Sequence, residues 1–180
     1  YDRFLSAYRG PAFLVCRERL LRQYPSTPEL VQKLTGGQAA EVLWNRNARA
    51  EDFTTVRLGL GRMDISSMIR TPAVRFSIRS DELEEQPAKL KADYQTILQI
   101  PSLLCIGQHK LTGIIGEQAR VQEVVRNIIL QLAMLHSYTD VRLIGLFRED
   151  EQELFSWLRW LPHVFSPDKS HRLLACSEAD

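Results

Sequence analysis

The sequence has few of the features that mark secreted, membrane-spanning or metal-binding proteins. Its 180 residues include only three cysteines, which are far apart and form no Cys-x-x-Cys pair. This pattern favours thiols in a reducing compartment and argues against a disulfide framework or a zinc site. No apolar run approaches the roughly 20 residues that a membrane span needs. The N-terminus has neither a signal-peptide core nor an initiating methionine, so we expect a soluble piece of a longer protein.

An excess of charge of either sign is also missing. The 23 Lys+Arg residues are balanced by 22 Asp+Glu residues, which gives a formal net charge of +1. This balance disfavours a dedicated nucleic-acid-binding protein. Hydrophobic residues make up 44% and charged residues 25% of the chain, as in an ordinary globular protein. The length suits one domain, or one domain with an appendage.

The apolar pattern predicts three successive segments. Residues 1–24 are expected to form a helical stalk with a break at Gly10-Pro11. Residues 25–52 form a helical connector that begins at a Ser26–Glu29 capping box. Residues 53–180 form an α/β domain, beginning with a small antiparallel β unit made of the alternating runs 56–60 and 74–78.

The rest of the predicted domain alternates short apolar runs with helices. Helices are predicted at residues 81–95, 117–136 and 149–161, and apolar runs lie at residues 101–106, 111–115, 141–147 and 173–176. Alternation of this kind predicts a parallel sheet with crossover connections. We therefore expect a partial P-loop-NTPase-like sheet with flanking helices and about three parallel strands.

A glycine turn before the long helix is where a phosphate loop would lie. The motif Gly-x-x-x-x-Gly-Lys-[Ser/Thr] fails from both glycines, because the lysine position holds Ala119 when counted from Gly113 and Gln122 when counted from Gly116. The sequence therefore predicts a degenerate phosphate loop at Gly113, Gly116 and Arg120, with no catalytic residues, no cofactor and no metal in this chain. The alternative is a nucleotide-binding regulatory module with an irregular loop in which Arg120 replaces the lysine.

Two aromatic segments are candidates for contacts with partners. Trp157 and Trp160 are three residues apart beside Arg159, and although core packing explains most of this cluster, part of it could face a partner. Trp44 is the second candidate. The four histidines are isolated in sequence and no Gly-x-Ser-x-Gly motif is present, so neither a metal site nor a hydrolase triad is predicted.

Six blocks in order along the chain carry a resemblance to a known family. The most specific is Asp-Phe-x-x-Val-Arg-Leu-Gly-x-Gly, which residues 52–61 match in full. In a second block, Leu-Trp-Glu-Arg, Asn45 replaces the glutamate. The blocks are Tyr24–Pro28, Leu43–Arg46, Asp52–Gly61, Gly113–Gly116, His136–Val141 and Trp157–Val164. Together they resemble the central ATPase of bacterial type VII secretion, the EssC/YukB/EccC group of the FtsK/SpoIIIE translocases.

This resemblance implies a domain at the cytoplasmic face of the bacterial membrane, between transmembrane helices and the motor ATPase modules. Such domains have an ATPase-like α/β fold without a complete nucleotide site. The parent protein would be a membrane-anchored, hexamer-like ATPase translocase that exports small helical-hairpin proteins, with ATP and Mg²⁺ bound in its other modules. The expected partners are those modules, neighbouring subunits and other membrane components of the secretion system. No nucleic acid is expected, since no basic run interleaved with aromatic residues occurs.

Overall fold

The computed structural model describes residues 15–64 and 96–177. The chain divides into two compact units, one of Tyr1–Pro25 and Arg57–Leu103 and the other of Ser26–Val56 and Leu104–Asp180. The α/β class is confirmed, because helices alternate with two small two-stranded sheets. The division into segments 1–24, 25–52 and 53–180 stays a prediction.

The first unit contains a helix and most of one antiparallel sheet. Residues 15–23 are helical (α1). Strand β1, Thr55–Asp64, pairs with strand β2, Thr96–Cys105. The Arg17 guanidinium donates to the Gln99 side-chain oxygen at 2.7 Å and to its carbonyl oxygen at 3.3 Å. The buried Arg57 donates to the Tyr24 carbonyl oxygen at 3.0 Å, so two arginines tie α1 to the strands.

Some predicted features of this unit fall outside the described residues. They are the break at Gly10-Pro11, the strand at 74–78 and the helix at 81–95. The partner that the structure gives β1 is β2, whose last part covers residues 101–105 of the apolar run predicted at 101–106.

The second unit begins with two short helices, the first of which starts at the predicted capping box. Helix α2, Thr27–Thr35, starts at Ser26, whose backbone N–H and hydroxyl donate to the Glu29 carboxylate at 2.6 and 2.8 Å. This confirms the capping box, which stabilises the exposed N–H groups of a first helical turn. The helix ends at Gly36, and Gly37 follows with φ 83°, a conformation that glycine adopts without steric cost. Helix α3 is Ala39–Val42.

The long helix α4 is Gln118–Leu135, within one residue of each predicted end. Its burial is concentrated at the C-terminal end, where Gln131 to Leu135 are all buried. Leu30 of α2 and Val42 of α3 pack there against Met134 and Leu135. The core of this unit therefore lies at the last turns of α4. No helix in the described ranges is both long and apolar enough to cross a membrane.

The second sheet is parallel, as predicted, but smaller. Strand β3, Gly145–Arg148, pairs with strand β4, Leu174–Ser177, with Gly145 opposite Leu174. The prediction that the apolar run 111–115 forms a strand of the parallel sheet is wrong, because those residues are neither strand nor helix. Leu111 is 91% and Ile115 100% exposed. An apolar run forms a strand only where a neighbour supplies backbone hydrogen bonds, and this run pairs with none of the described strands.

The prediction of a single helix at 149–161 is also wrong. The segment forms 3₁₀ turns at Glu149–Glu151 and Ser156–Trp160 with one short helix, α5 (Gln152–Phe155), between them. A third 3₁₀ turn follows at Pro162–Val164. Three consecutive acidic residues and several aromatic residues of weak helix propensity do not sustain a long helix. The segment bends so that Leu158 and Val164 are buried.

Candidate functional site

The C-terminal end of α4 is the place where four of the six sequence blocks meet. His136, the residue that follows the helix, is fully buried. Its Nδ1 lies 3.2 Å from the Leu132 carbonyl oxygen, and its Nε2 accepts a hydrogen bond from the Thr54 N–H at 3.2 Å. These partners assign the proton to Nδ1, because a neutral imidazole has one donor and one acceptor. The Phe53 ring packs edge-on at 5.0 Å.

A second buried histidine connects the end of α4 to the segment before β3. His163 Nε2 lies 2.8 Å from the His136 carbonyl oxygen and donates to it. The carbonyl of His163 in turn accepts the Leu143 N–H at 2.9 Å, just before β3. We call Thr54, Leu132, His136 and His163 the histidine node. It joins the end of α4 to the segment before β1 and to the chain before β3.

Burial lowers the pKa of both histidines in the node. For His136 the loss of solvation is the largest cause, and the positive charge of Arg46 lowers its pKa further, while the Leu132 carbonyl acts in the opposite direction. For His163 loss of solvation again dominates over the hydrogen bond to the His136 carbonyl. Both shifts favour the neutral form of the rings, and His136 Nε2 can accept the Thr54 N–H only in that form.

The block Leu43–Arg46 closes the same end of α4 from another side. The Trp44 N–H donates to the Met134 carbonyl at 2.9 Å, and the Arg46 N–H donates to the Leu135 carbonyl at 3.0 Å. Carbonyl groups at a helix C-terminus have no partner within the helix, so these two bonds satisfy them. The Arg46 side chain is held in turn by a short ion pair with Asp52.

The node and its surroundings therefore form a structural junction. The Thr54 N–H donates to the His136 ring, and both histidine rings are buried. Most polar groups of the node are paired, although His163 Nδ1 is buried without a hydrogen-bond partner among the described residues. Paired groups in a buried network rigidify a core and fix one arrangement of its elements. Sequence reasoning missed the junction, because the partners of the histidines are backbone groups that leave no signature in the sequence.

The predicted phosphate loop does not form a comparable cluster. Among the glycines that the structure describes, only Gly37 has a positive φ. A Cβ placed at Gly113 would meet nothing within 4 Å, and one at Gly116 would meet only a Val121 methyl at 3.7 Å. Arg120 is exposed, with its guanidinium 3.6 Å from the Glu123 carboxylate. The structure thus places an ion pair where the alternative hypothesis needs a cation facing phosphate.

The four predicted contact residues lie in different environments. Trp160 is 79% exposed, whereas Trp157 is half-buried and its indole N–H is enclosed without a hydrogen-bond partner in the described structure. Arg159 is exposed, and its Nε donates to the Ser156 carbonyl at 2.9 Å. Trp44 is 44% exposed and contacts the Tyr138 ring edge-on at 5.5 Å. Trp160 is therefore the most exposed of the three tryptophans.

A cavity that the sequence did not indicate lies beside the block that begins at His136. It has a volume of about 390 Å³, and Tyr138, Arg142, Phe165 and Lys169 are among its lining residues. No group of three or more potential metal ligands occurs in the described ranges. The three cysteines, at positions 16, 105 and 176, are unpaired.

Comparisons with known proteins test whether the family resemblance extends along the chain. No protein-family model matches the chain. The chain is 29% identical over 137 residues to the ESX secretion system protein EccC of Geobacillus thermodenitrificans. It is 28% identical over 141 residues to the type VII secretion system protein EssC of several Staphylococcus aureus strains. The chain is a homologue of EccC and EssC.

These matches confirm the resemblance to the type VII secretion group. They cover 76% and 78% of the chain but only 9% of each relative, so the chain corresponds to about a tenth of the length of EccC or EssC. The matched length exceeds every continuous segment of either compact unit. The homology to EccC and EssC therefore takes in residues of both units.

Proposed function

We propose that the chain is a non-catalytic, ATPase-fold domain of a membrane-anchored type VII protein secretion translocase. In this proposal it lies at the cytoplasmic face of the bacterial membrane and links the transmembrane stalk to the motor ATPase modules. Its homology to EccC and EssC, of whose length the matches cover only 9%, supports a place within such a protein. The parallel pair β3–β4 would be part of the P-loop-NTPase-like sheet.

The histidine node is the observation that carries this proposal. Four blocks that carry the family resemblance, among them Leu43–Arg46 and the one containing Thr54, converge on a buried junction at the end of α4. Residues of a catalytic site must instead reach a substrate in a cleft. A rigid junction is the feature that a domain needs in order to transmit force or position between modules.

Exposed apolar side chains supply the surfaces that such a linking domain requires. Ile144, Leu146 and Trp160 are each at least 75% exposed. Large apolar side chains on a surface are typical of sites that other modules or subunits cover. We propose that they contact other modules of the same protein, neighbouring subunits of a hexamer-like assembly or membrane components of the secretion system.

The glycine turn before α4 supports a role without nucleotide hydrolysis. No lysine stands at the motif position, no strand enters the turn, and Arg120 is paired with Glu123. In the proposal ATP and Mg²⁺ bind only in other modules of the parent protein. The export of small helical-hairpin proteins is then the work of the whole translocase.

Calorimetric titration with Mg-ATP and Mg-ADP tests the proposal against the nucleotide-binding alternative. We expect no heat of binding and no thermal shift at millimolar nucleotide. Arg120→Gln and the matched control Arg126→Gln on the same helix should behave like the unchanged chain. Micromolar binding that Arg120→Gln abolishes and Arg126→Gln preserves would contradict the proposal and establish a nucleotide-binding module.

A further inference from the structure

The cavity beside Tyr138 combines apolar walls with two cationic side chains. Its volume of about 390 Å³ lies within the usual range of ligand sites, about 300–1,000 Å³. Two prolines contribute to the walls. The other lining residues used below are Tyr138, Thr139, Arg142, Phe165, Ser166 and Lys169.

A tight loop holds one wall of the cavity in place. The Lys169 N–H donates to the Ser166 carbonyl at 2.9 Å, and the Ser166 N–H donates to the His171 carbonyl at 3.0 Å. Lys169 has φ 58°, which is an uncommon backbone conformation for a lysine. Its ammonium group lies 5.5 Å from the centre of the Tyr138 ring. The loop therefore fixes a cation beside an aromatic face.

The second cation is also held in position. Arg142 Nη1 donates to the Phe165 carbonyl at 2.7 Å, which leaves its other N–H groups for a ligand. Neither Arg142 nor Lys169 has an ion-pair partner in the described part of the chain. None of the described residues that line the cavity is acidic.

The nearest acidic group in the loop is already engaged. Asp168 accepts hydrogen bonds from the Ser166 hydroxyl and from the Ser170 N–H. These bonds hold the pKa of the Asp168 carboxyl well below its usual range. Asp168 is not among the residues that line the cavity, whereas Arg142 and Lys169 are.

We propose that this cavity binds an acidic peptide segment of a partner protein, with a carboxylate between Arg142 and Lys169 and an apolar side chain against Tyr138 and Phe165. Charge complementarity selects the carboxylate, and the aromatic and proline walls select its apolar neighbour. The hydroxyl groups in the wall already have partners within the chain: the Thr139 hydroxyl is 2.7 Å from the Ser137 hydroxyl, and the Ser166 hydroxyl donates to Asp168.

This site goes beyond the proposed function, because a peptide can bind here whether or not the chain binds nucleotide. The test measures fluorescence anisotropy of a fluorescein-labelled hexapeptide of alternating glutamate and leucine, titrated with the purified chain. We expect saturable binding that weakens as salt screens the charges. A hexapeptide with glutamine in place of glutamate should bind at least about tenfold more weakly, since charge-assisted hydrogen bonds are lost.

Two variants locate the binding. Lys169→Asn removes the ammonium group and keeps a residue that tolerates a positive φ, so it should weaken binding about tenfold. Lys110→Asn removes the same charge from an exposed loop position outside the cavity and should leave binding unchanged. Thermal unfolding checks that both variants fold, and Lys169→Gly, which also accepts this φ, serves if the asparagine variant does not.

Three outcomes would overturn the proposal. The first is equal binding, or no binding, of the acidic and the glutamine peptides. The second is an equal effect of Lys169→Asn and Lys110→Asn. The third is displacement of the bound peptide by ATP but not by inorganic phosphate. That result would assign the cavity to a nucleotide.

Discussion

Replacing His136 with alanine should lower the free energy of unfolding by about 3–5 kcal/mol. The fully buried imidazole fills space beside Phe53 and supplies the acceptor for the Thr54 N–H. Alanine leaves a cavity and a backbone donor without its partner. The Leu132 carbonyl loses less, because it still accepts the His136 backbone N–H at 3.0 Å.

Urea unfolding followed by tryptophan fluorescence and circular dichroism measures this effect. A loss of this size is a large part of the stability of an ordinary domain, about 5–15 kcal/mol. His136→Gln keeps an acceptor within reach of Thr54 and should lose less stability than His136→Ala. His171 is an exposed histidine, and His171→Ala should change the free energy of unfolding by no more than about 0.5 kcal/mol.

The result that would refute this reasoning is a His136→Ala variant within about 1 kcal/mol of the unchanged chain. That outcome would mean that the contacts of His136 are not needed for folding. The convergence of the sequence blocks on the histidine node would then need another explanation, such as a role in binding.

Three further predictions follow from the same structure. Burial lowers the pKa of His136 and His163 below 6.5, so below that pH the unfolded chain binds more protons than the folded chain. The free energy of unfolding should therefore fall as the pH drops below 6.5, by up to about 1.4 kcal/mol per pH unit for each histidine. Urea unfolding at a series of pH values measures this slope. Gly116→Ala should change the midpoint of thermal unfolding by no more than about 2 °C. Gly116 lacks a positive φ, and a Cβ there would meet only Val121, at 3.7 Å. A larger drop in the midpoint would contradict that geometry. Trp160→Ser should leave the free energy of unfolding within about 0.5 kcal/mol, because the ring is 79% exposed, and a larger loss in urea would show that the ring packs within the fold.

Local signals in the sequence were enough to predict several elements. The Ser26–Glu29 capping box lies within one helical turn, and the two residues act through their own backbone and side chains. Helix α4 is long and strongly periodic, so its apolar stripe outweighs other signals. The parallel β3–β4 pair follows from two apolar runs separated by a crossover segment.

Features that depend on distant partners could not be predicted in this way. The run 111–115 has the composition of a strand, but strand formation requires a neighbouring strand, which composition does not reveal. His136 and His163 are 27 residues apart and bond to backbone carbonyls, which every residue possesses. The cavity depends on the backbone conformation of Lys169, and a positive φ at a lysine has no sequence signature.

The central claim, that this chain couples modules of a secretion translocase without catalysing hydrolysis, is tested most directly by measuring export and ATP hydrolysis together. The measurement compares the full-length protein carrying Trp160→Ser with the same protein carrying the surface control His171→Ala. We predict that Trp160→Ser reduces export of the secreted protein while ATP hydrolysis per molecule stays at the control level. Unchanged export, or a loss of hydrolysis in proportion to export, would contradict the claim.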